Sequence, residues 1–270
     1  MAEIITHHGL LKDVKLHVDD YGGTGRPLSG ASWAPQIPVV QQHGYRPITY
    51  DRRGFGRSDK PLTGYGYDSL AEDLHKILNE LDVPDATLVG FSMGGGEVAR
   101  YLATYGPERV RSAVFAAAVT PYMMRTPDNP EGPLQPSEAA RMTAALTANQ
   151  DKFYDGFVTE FFSAGGQLQV SEQQRQEALA LTGQAGKVPA LECMAAFGNT
   201  DFREDLTQAS VPTLVLHGDG DATVPFEGSG MRTHAAIPGS DLAVLPGAPH
   251  GCNVSHADAF NAALLKFLRR

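Results

Sequence analysis

The sequence predicts an α/β fold, in which helices flank a mainly parallel sheet. Segments with the alternation or the continuous apolar character of strands are separated by segments whose apolar residues recur at helical spacing. The run from Val110 to Val119 is almost wholly apolar, which is typical of a strand covered on both faces. Strands and helices that alternate along a chain favour a parallel sheet, because a helix then connects two neighbouring strands.

The first elements follow this pattern. Apolar and polar residues alternate over 14–18, which predicts a half-buried strand, and 48–50 predicts a second, short strand. Leucines and isoleucines then recur at helical spacing over 70–81, behind a capping box formed by Ser69 and Glu72.

Another strand, helix and strand follow. The strand is expected over 87–91 and the helix has its apolar face over 98–105. Gly106-Pro107 is a pair that often ends a helix, and the apolar run at 110–119 is the next strand.

The pattern changes after residue 120. The segment 120–136 holds five prolines in seventeen residues, which the interior of a sheet would not tolerate. Only helical patterns follow, one of which begins at a capping box formed by Ser171 and Gln174. We therefore predict a helical cap inserted into an α/β core. The core is expected at 1–120 and 206–270, and the cap at 121–205.

Strand patterns return in "SVPTLVLHGDGD" and "DLAVLP". A last helix carries Phe260, Leu264, Phe267 and Leu268 on one face. The α/β alternation thus resumes after the insertion.

Composition excludes several classes of protein. The 270 residues carry 31 acidic and 22 basic side chains, a net charge of -9, with no basic cluster, so we expect no nucleic-acid partner. No apolar run approaches the roughly 20 residues of a membrane span, and the N-terminus has no signal-peptide core. We expect a soluble cytoplasmic protein without membrane contact. Cys193 and Cys252 form neither a disulfide framework nor a metal-ligand pattern.

Three residues of reactive type follow predicted strands. Ser92 follows one, Asp219 or Asp221 the next, and His250 the last. Ligand sites in parallel α/β sheets lie beyond the carboxyl ends of the strands. A serine hydroxyl becomes a nucleophile when a base takes its proton, and the base needs a carboxylate to fix its tautomer. Ser92, His250 and Asp221 are the predicted triad, with Asp219 as the alternative acid.

Gly90-Phe91-Ser92-Met93-Gly94 matches the G-x-S-x-G nucleophile elbow, with a predicted strand before it and a helix after it. We expect Gly90 and Gly94 to lack room for a Cβ, and Gly95 and Gly96 to let the helix approach the neighbouring strands. The helix N-terminus presents free N–H groups, so the Met93 N–H is the predicted donor to an oxyanion.

The segments "YDRRGFGRSDKP", "LVGFSMGGGEVARY", "TDFREDL", "PTLVLHGDGDATVP" and "GAPHG" resemble the cofactor-free bacterial haloperoxidase and perhydrolase group of the α/β-hydrolases over nearly the whole chain. The resemblance implies catalytic roles for Ser92, Asp221 and His250, a helical cap, and no metal or haem. It also implies hydrolysis of small esters. Some members form a peracid from a carboxylic acid and peroxide, and the peracid then oxidises halide.

One segment of the family pattern is missing. In the family, an apolar strand ending in His-Gly and an aromatic residue follows the turn that corresponds to "GGTGRP", and it supplies a second oxyanion donor. Here one central strand and its oxyanion loop are absent between Pro27 and Leu28, and His43-Gly44 does not replace them because a helix is expected to end there. A deletion, a gap in the numbering and replacement by another segment are the open interpretations.

The hypothesis is a serine esterase for short, uncharged acyl esters, with perhydrolase (haloperoxidase) activity left open. Its partner is a small-molecule ester or carboxylic acid, and a homo-oligomer is left open. Thr120 and Val224 are expected in the substrate pocket, or else in the ordinary core. The alternative is an impaired hydrolase or a ligand-binding protein, favoured by the missing donor strand. A dehalogenase with an aspartate nucleophile is disfavoured by Ser92, and "GTGRPLSG" lacks the spacing of a nucleotide-binding loop.

Overall fold

A computed structural model describes residues 2–6, 14–21 and 31–270. Its strands are β1 (Ala2–Thr6), β2 (Val14–Asp20), β3 (Ile48–Asp51), β4 (Ala86–Phe91), β5 (Val110–Ala116), β6 (Ser163–Ala164), β7 (Gln167–Leu168), β8 (Thr213–Gly218) and β9 (Asp241–Leu245). Its helices are α1 (Ile37–Gln42), α2 (Tyr67–Glu80), α3 (Met93–Tyr105), α4 (Pro136–Ala148), α5 (Gln150–Phe161), α6 (Glu172–Thr182), α7 (Lys187–Asn199), α8 (Arg203–Leu206), α9 (Gly230–Ala236), α10 (Cys252–Ser255) and α11 (Ala257–Leu268).

The central sheet contains β4, β5, β8 and β9 in this order, and all three pairings are parallel. β1, β2 and β3 form a separate antiparallel sheet. The predicted α/β fold with a mainly parallel sheet and flanking helices is confirmed. The missing strand predicted between Pro27 and Leu28 falls on residues 22–30, which lie outside the described residues. It therefore stays a prediction.

The central sheet buries both of its faces. Phe115 and Val215 pack with α2 and α3 on one side, whereas Val114, Leu214 and Leu216 pack with α11 on the other. Successive side chains of a strand point to opposite faces, so each strand contributes to both layers. This burial explains why the sequence of β5 is almost wholly apolar.

The start of α2 differs from the prediction. The helix begins at Tyr67 with Gly66 as its N-cap, so the capping box predicted at Ser69 and Glu72 is wrong. Tyr67 is 2% exposed and its ring packs edge-on against Phe202, with 4.6 Å between the ring centroids. This packing extends the helix by one turn.

The capping box predicted later in the chain is confirmed. The Ser171 hydroxyl accepts a hydrogen bond from the backbone N–H of Gln174, and the Gln174 side chain caps the backbone N–H of Ser171. Both ends of the motif lie on the surface, where no packing competes with the local hydrogen bonds.

The range 121–205 contains α4, α5, α6 and α7, and α8 ends just beyond it. It also contains the hairpin β6–β7, so the expectation of helices alone is wrong. Gly165 and Gly166, both with positive φ, form the turn of this hairpin. The division into core and cap stays a prediction.

The helices are short, and the longest, α2, has 14 residues. Within the described part of the chain, no helix combines the length and the apolar character needed to cross a membrane.

Candidate active site

The predicted nucleophile stands on a strained turn between β4 and α3. Ser92 has φ 53° and ψ -120°, a conformation that costs a non-glycine residue about 1–3 kcal/mol. A methyl group on Gly90 would lie 2.3 Å from the Gly94 carbonyl oxygen, and one on Gly95 would lie 2.3 Å from the Ala118 side chain. Both residues must therefore be glycine for the helix to begin this close to the sheet.

Two of the glycine predictions need correction. A methyl group on Gly94 would have its nearest neighbour, an Arg52 nitrogen, at 3.9 Å, so this position has room for a side chain. Gly96 faces the rings of Phe202 and Tyr67 rather than a strand.

The structure brings the three predicted residues together. His250 Nε2 lies 2.9 Å from Ser92 Oγ, and His250 Nδ1 lies 2.6 Å from Asp221 Oδ2. His250 and Asp221 are 1% and 5% exposed. Asp219 instead accepts a hydrogen bond from the Gly247 N–H, so it is Asp221 that contacts the histidine. This geometry can move a proton from the serine to the histidine and hold the resulting imidazolium.

The Asp221 carboxylate has donors on both oxygens. Oδ1 accepts from the backbone N–H groups of Thr223 and Val224, at 2.9 and 2.7 Å. Burial alone would raise the pKa of Asp221, but His250 and the hydrogen bonds from His217 and His250 outweigh it and lower the pKa to about 2. The carboxylate is therefore charged at neutral pH.

The Met93 N–H is placed as predicted for an oxyanion donor. Met93 is the first residue of α3, where backbone N–H groups have no partner within the helix. No hydrogen bond joins this N–H to the rest of the described chain. The Met93 N–H is therefore available to donate to an anion bound beside Ser92.

Aromatic rings surround the histidine. The rings of Phe91 and Phe161 lie 5.3 and 4.9 Å from the imidazole of His250, centroid to centroid, and Trp33 packs edge-on against Phe91. The Phe161 carbonyl accepts the Gly251 N–H at 2.8 Å, which joins α5 to the loop that carries His250.

The two predicted pocket residues are buried. The Thr120 hydroxyl lies 2.9 Å from that of Thr233, and Thr120 is 0% exposed. Val224 is equally buried, and its N–H and C=O bind Asp221 and His217. Their place in a substrate pocket stays a prediction.

Three neighbours of the site, His217, Trp33 and Phe161, are not predicted from the sequence. Phe161 lies among the helical patterns after residue 120, and His217 lies in the strand pattern "SVPTLVLHGDGD". The position of His217 at the end of a strand, four residues before Asp221, was the available signal.

Comparison with known proteins shows the family to which the chain belongs. The α/β hydrolase fold family matches residues 4–257, and the chain belongs to that family. A non-heme chloroperoxidase from Kitasatospora aureofaciens is 39% identical over 249 residues, which cover 91% of this chain and 90% of the relative.

Two further proteins are similar. A bifunctional esterase/perhydrolase from Acinetobacter calcoaceticus is 35% identical over 252 residues, covering 91% of this chain and 89% of the relative. The crystal structure of a bromoperoxidase from Bacillus anthracis superimposes with a TM-score of 0.94 at 44% identity and covers 100% of both chains. The resemblance to the haloperoxidase and perhydrolase group is thereby confirmed.

Proposed function

We propose that this chain is a serine hydrolase that cleaves small carboxylic esters through an acyl-enzyme. The observation that carries the proposal is the continuous hydrogen-bonded series Ser92, His250, Asp221 at the carboxyl ends of parallel strands. The proposed roles are nucleophile for Ser92, base for His250 and orienting carboxylate for Asp221.

In the proposed reaction, Ser92 Oγ attacks the ester carbonyl carbon while its proton passes to His250 Nε2. The tetrahedral oxyanion accepts a hydrogen bond from the Met93 N–H, a kind of contact worth about 100- to 1000-fold in rate. Collapse of the intermediate expels the alcohol, which takes the proton from His250, and leaves the acyl group on Ser92. Water then attacks the acyl-enzyme by the same route and releases the carboxylic acid.

We further propose peracid formation as a second activity. Hydrogen peroxide in place of water would attack the acyl-enzyme and release a peracid. The names of the relatives from Acinetobacter calcoaceticus and Kitasatospora aureofaciens support this activity. The peracid would oxidise halide in solution, so the proposed chemistry at the protein remains acyl transfer.

We also propose that residues 121–205 act as a cap over the reacting groups. The contacts of Phe161 with His250 and Gly251 support this role, because they join a helix of the segment directly to the proposed base. The aromatic and apolar character of this contact favours an uncharged acyl or alcohol group.

The test is hydrolysis of a chromogenic short-chain acetate ester by the wild-type chain and by Ser92→Ala. We expect turnover that the variant lacks, and a mass increase of one acetyl group on Ser92 when the reaction is quenched early. Ligand-induced stabilisation without turnover would refute the proposal and favour a binding protein. For the second activity, bromination of a phenol reporter should require acetate, peroxide, bromide and Ser92 together.

A further inference from the structure

A second histidine contacts the carboxylate of the proposed triad. His217 is the fifth residue of β8 and is 0% exposed. Its Nε2 lies 3.2 Å from Asp221 Oδ2 and 2.8 Å from the Val224 carbonyl oxygen. The mechanism proposed above makes no use of this side chain.

The surroundings of His217 indicate its tautomer. A carbonyl oxygen only accepts hydrogen bonds, so the short contact with Val224 requires a proton on Nε2. Nδ1 is buried and has no hydrogen-bond partner within the described part of the chain. A proton there would be a buried donor without an acceptor, which costs about 1–3 kcal/mol. These contacts place a proton on Nε2 and leave Nδ1 bare.

Gly230 provides the space for this bare nitrogen. A methyl group on Gly230 would lie 2.5 Å from Nδ1 of His217. The ring thus fills a closed position between β8 and α9, and its only hydrogen-bond donor faces Asp221 and Val224.

These contacts form a closed ring. The Val224 N–H donates to Asp221 Oδ1, and the Val224 carbonyl accepts from His217, which also approaches Asp221 Oδ2. The carboxylate is held on one oxygen by backbone groups and on the other by two histidines. Rotation of the carboxylate would break contacts on both sides at once.

We propose that His217 is a positioning residue that fixes the plane of the Asp221 carboxylate and limits the charge that this carboxylate presents to His250. The inference rests on the proposed function, because it assigns His217 a role in the same proton transfer. His217 does not touch the reacting atoms, so it acts through Asp221.

The expected sign of the pH effect follows from the dipole of the ring. The ionisable groups that interact with Asp221 are His217 from β8, His250 from the loop after β9, and the buried thiol of Cys252 at the start of α10. The Nε2–H of His217 directs its positive end at the Asp221–His250 pair, which disfavours a second positive charge there. Without this donor, the protonated form of the proposed base is favoured, and the acid limb of the kcat/KM profile moves to higher pH.

Three substitutions separate the donor from the shape of the side chain. The amide nitrogen of His217→Gln is as many bonds from the backbone as Nε2 of histidine, whereas that of His217→Asn corresponds to Nδ1. His217→Leu removes the donor altogether. Asn and Gln are therefore a matched pair that differ in where the donor lies.

The experiment compares the pH profiles of ester hydrolysis for the wild type and the three variants. The Asn and Leu variants should lose about 10-fold in kcat with KM little changed. Loss of a charge-assisted hydrogen bond is expected to lower the rate by about this factor. The acid limb of the kcat/KM profile of these two variants should move to higher pH by about half a unit or more. Gln should restore both quantities toward the wild type. Equal losses in Gln and Asn, or an unshifted limb in all three, would overturn the inference.

A measurement on the wild type covers the case in which the variants do not fold. Nitrogen-15 NMR of the histidine rings should show a proton on Nε2 of His217 and none on Nδ1. A proton on Nδ1 would overturn the inference. Failure of the proposed function is a separate outcome, since it appears as absent turnover in the wild type itself.

Discussion

Replacement of Asp221 by asparagine tests the orientation of the proposed base. Asparagine has the shape of the carboxylate but offers an oxygen on one side and a donating NH₂ group on the other. In the wild type, the carboxylate accepts from two backbone N–H groups at Oδ1, while Oδ2 contacts the ring nitrogens of His250 and His217. The backbone donors cannot change, so they should retain the oxygen and turn the NH₂ toward His250.

His250 can adapt to this change only by moving its proton. Its Nδ1 must then accept a hydrogen bond, and the proton sits on Nε2, which donates to Ser92 and no longer takes its proton. The corresponding wrong tautomer in a serine protease costs about 10⁴-fold in kcat, or ~5.4 kcal/mol. KM should stay within about threefold, since Asp221 is expected to make no contact with substrate.

Asp219→Asn is the matched control. Asp219 is two residues away and binds the Gly247 N–H rather than the histidine, so its variant should retain most of the wild-type kcat. Steady-state hydrolysis of a chromogenic acetate ester measures both variants, and circular dichroism verifies that each is folded. A decrease in kcat of less than about 10-fold for Asp221→Asn would refute the tautomer argument, which predicts a decrease of about 10⁴-fold. Equal losses in both variants would refute the assignment of Asp221.

Three further predictions concern stability and reactivity. Because the pKa of Asp221 is lowered from 3.8 to about 2, its contribution to stability is present above pH 3.8 and lost as the pH falls toward 2. Over this pH range, the free energy of unfolding should therefore decrease by about 2 kcal/mol less in Asp221→Asn than in the wild type. Gly90→Ala should cost about 3 kcal/mol or more in urea unfolding, because the added methyl meets backbone atoms. Gly156→Ala, at an exposed helical position with open space, should instead gain about 0.5–1 kcal/mol, and a loss there would contradict the packing argument. Burial raises the pKa of Cys193 to about 11 and that of Cys252 to about 12, so a thiol reagent at pH 8 should label both only after unfolding.

Several of the regular elements and the three proposed catalytic residues could be predicted because each has a local signal. β5 and α11 are visible from their apolar patterns, and Ser92 from a motif with a strand before it and a helix after it. The start of α2 could not be predicted, because it depends on Tyr67 packing against Phe202, which lies far along the chain. Long-range packing here outweighs a local capping signal.

Long-range contacts also determine which residues become neighbours of the site. Phe161 lies beside His250, where a backbone hydrogen bond joins the end of α5 to Gly251. His217 acquires its contact with Asp221 from the turn after β8, whose backbone also binds the carboxylate. A sequence pattern identifies the type of each residue, but the partner of its side chain depends on how the turns fold.

The strand ends explain how residues so far apart in the chain keep ångström-scale geometry. The Ser92 N–H binds the Ala116 carbonyl of β5, the Ala117 N–H binds Leu216 of β8, and the Asp219 N–H binds Leu245 of β9. Each strand end is thus tied to the next after regular pairing has stopped. Ser92 and Ala117 both have positive φ, at 53° and 44°, and these hydrogen bonds offset the strain of those conformations. The hydrogen bonds at the carboxyl ends of the strands therefore determine the position of the proposed nucleophile relative to its base. The G-x-S-x-G motif provides the tight turn, and the hydrogen bonds between strand ends fix where that turn places the proposed nucleophile.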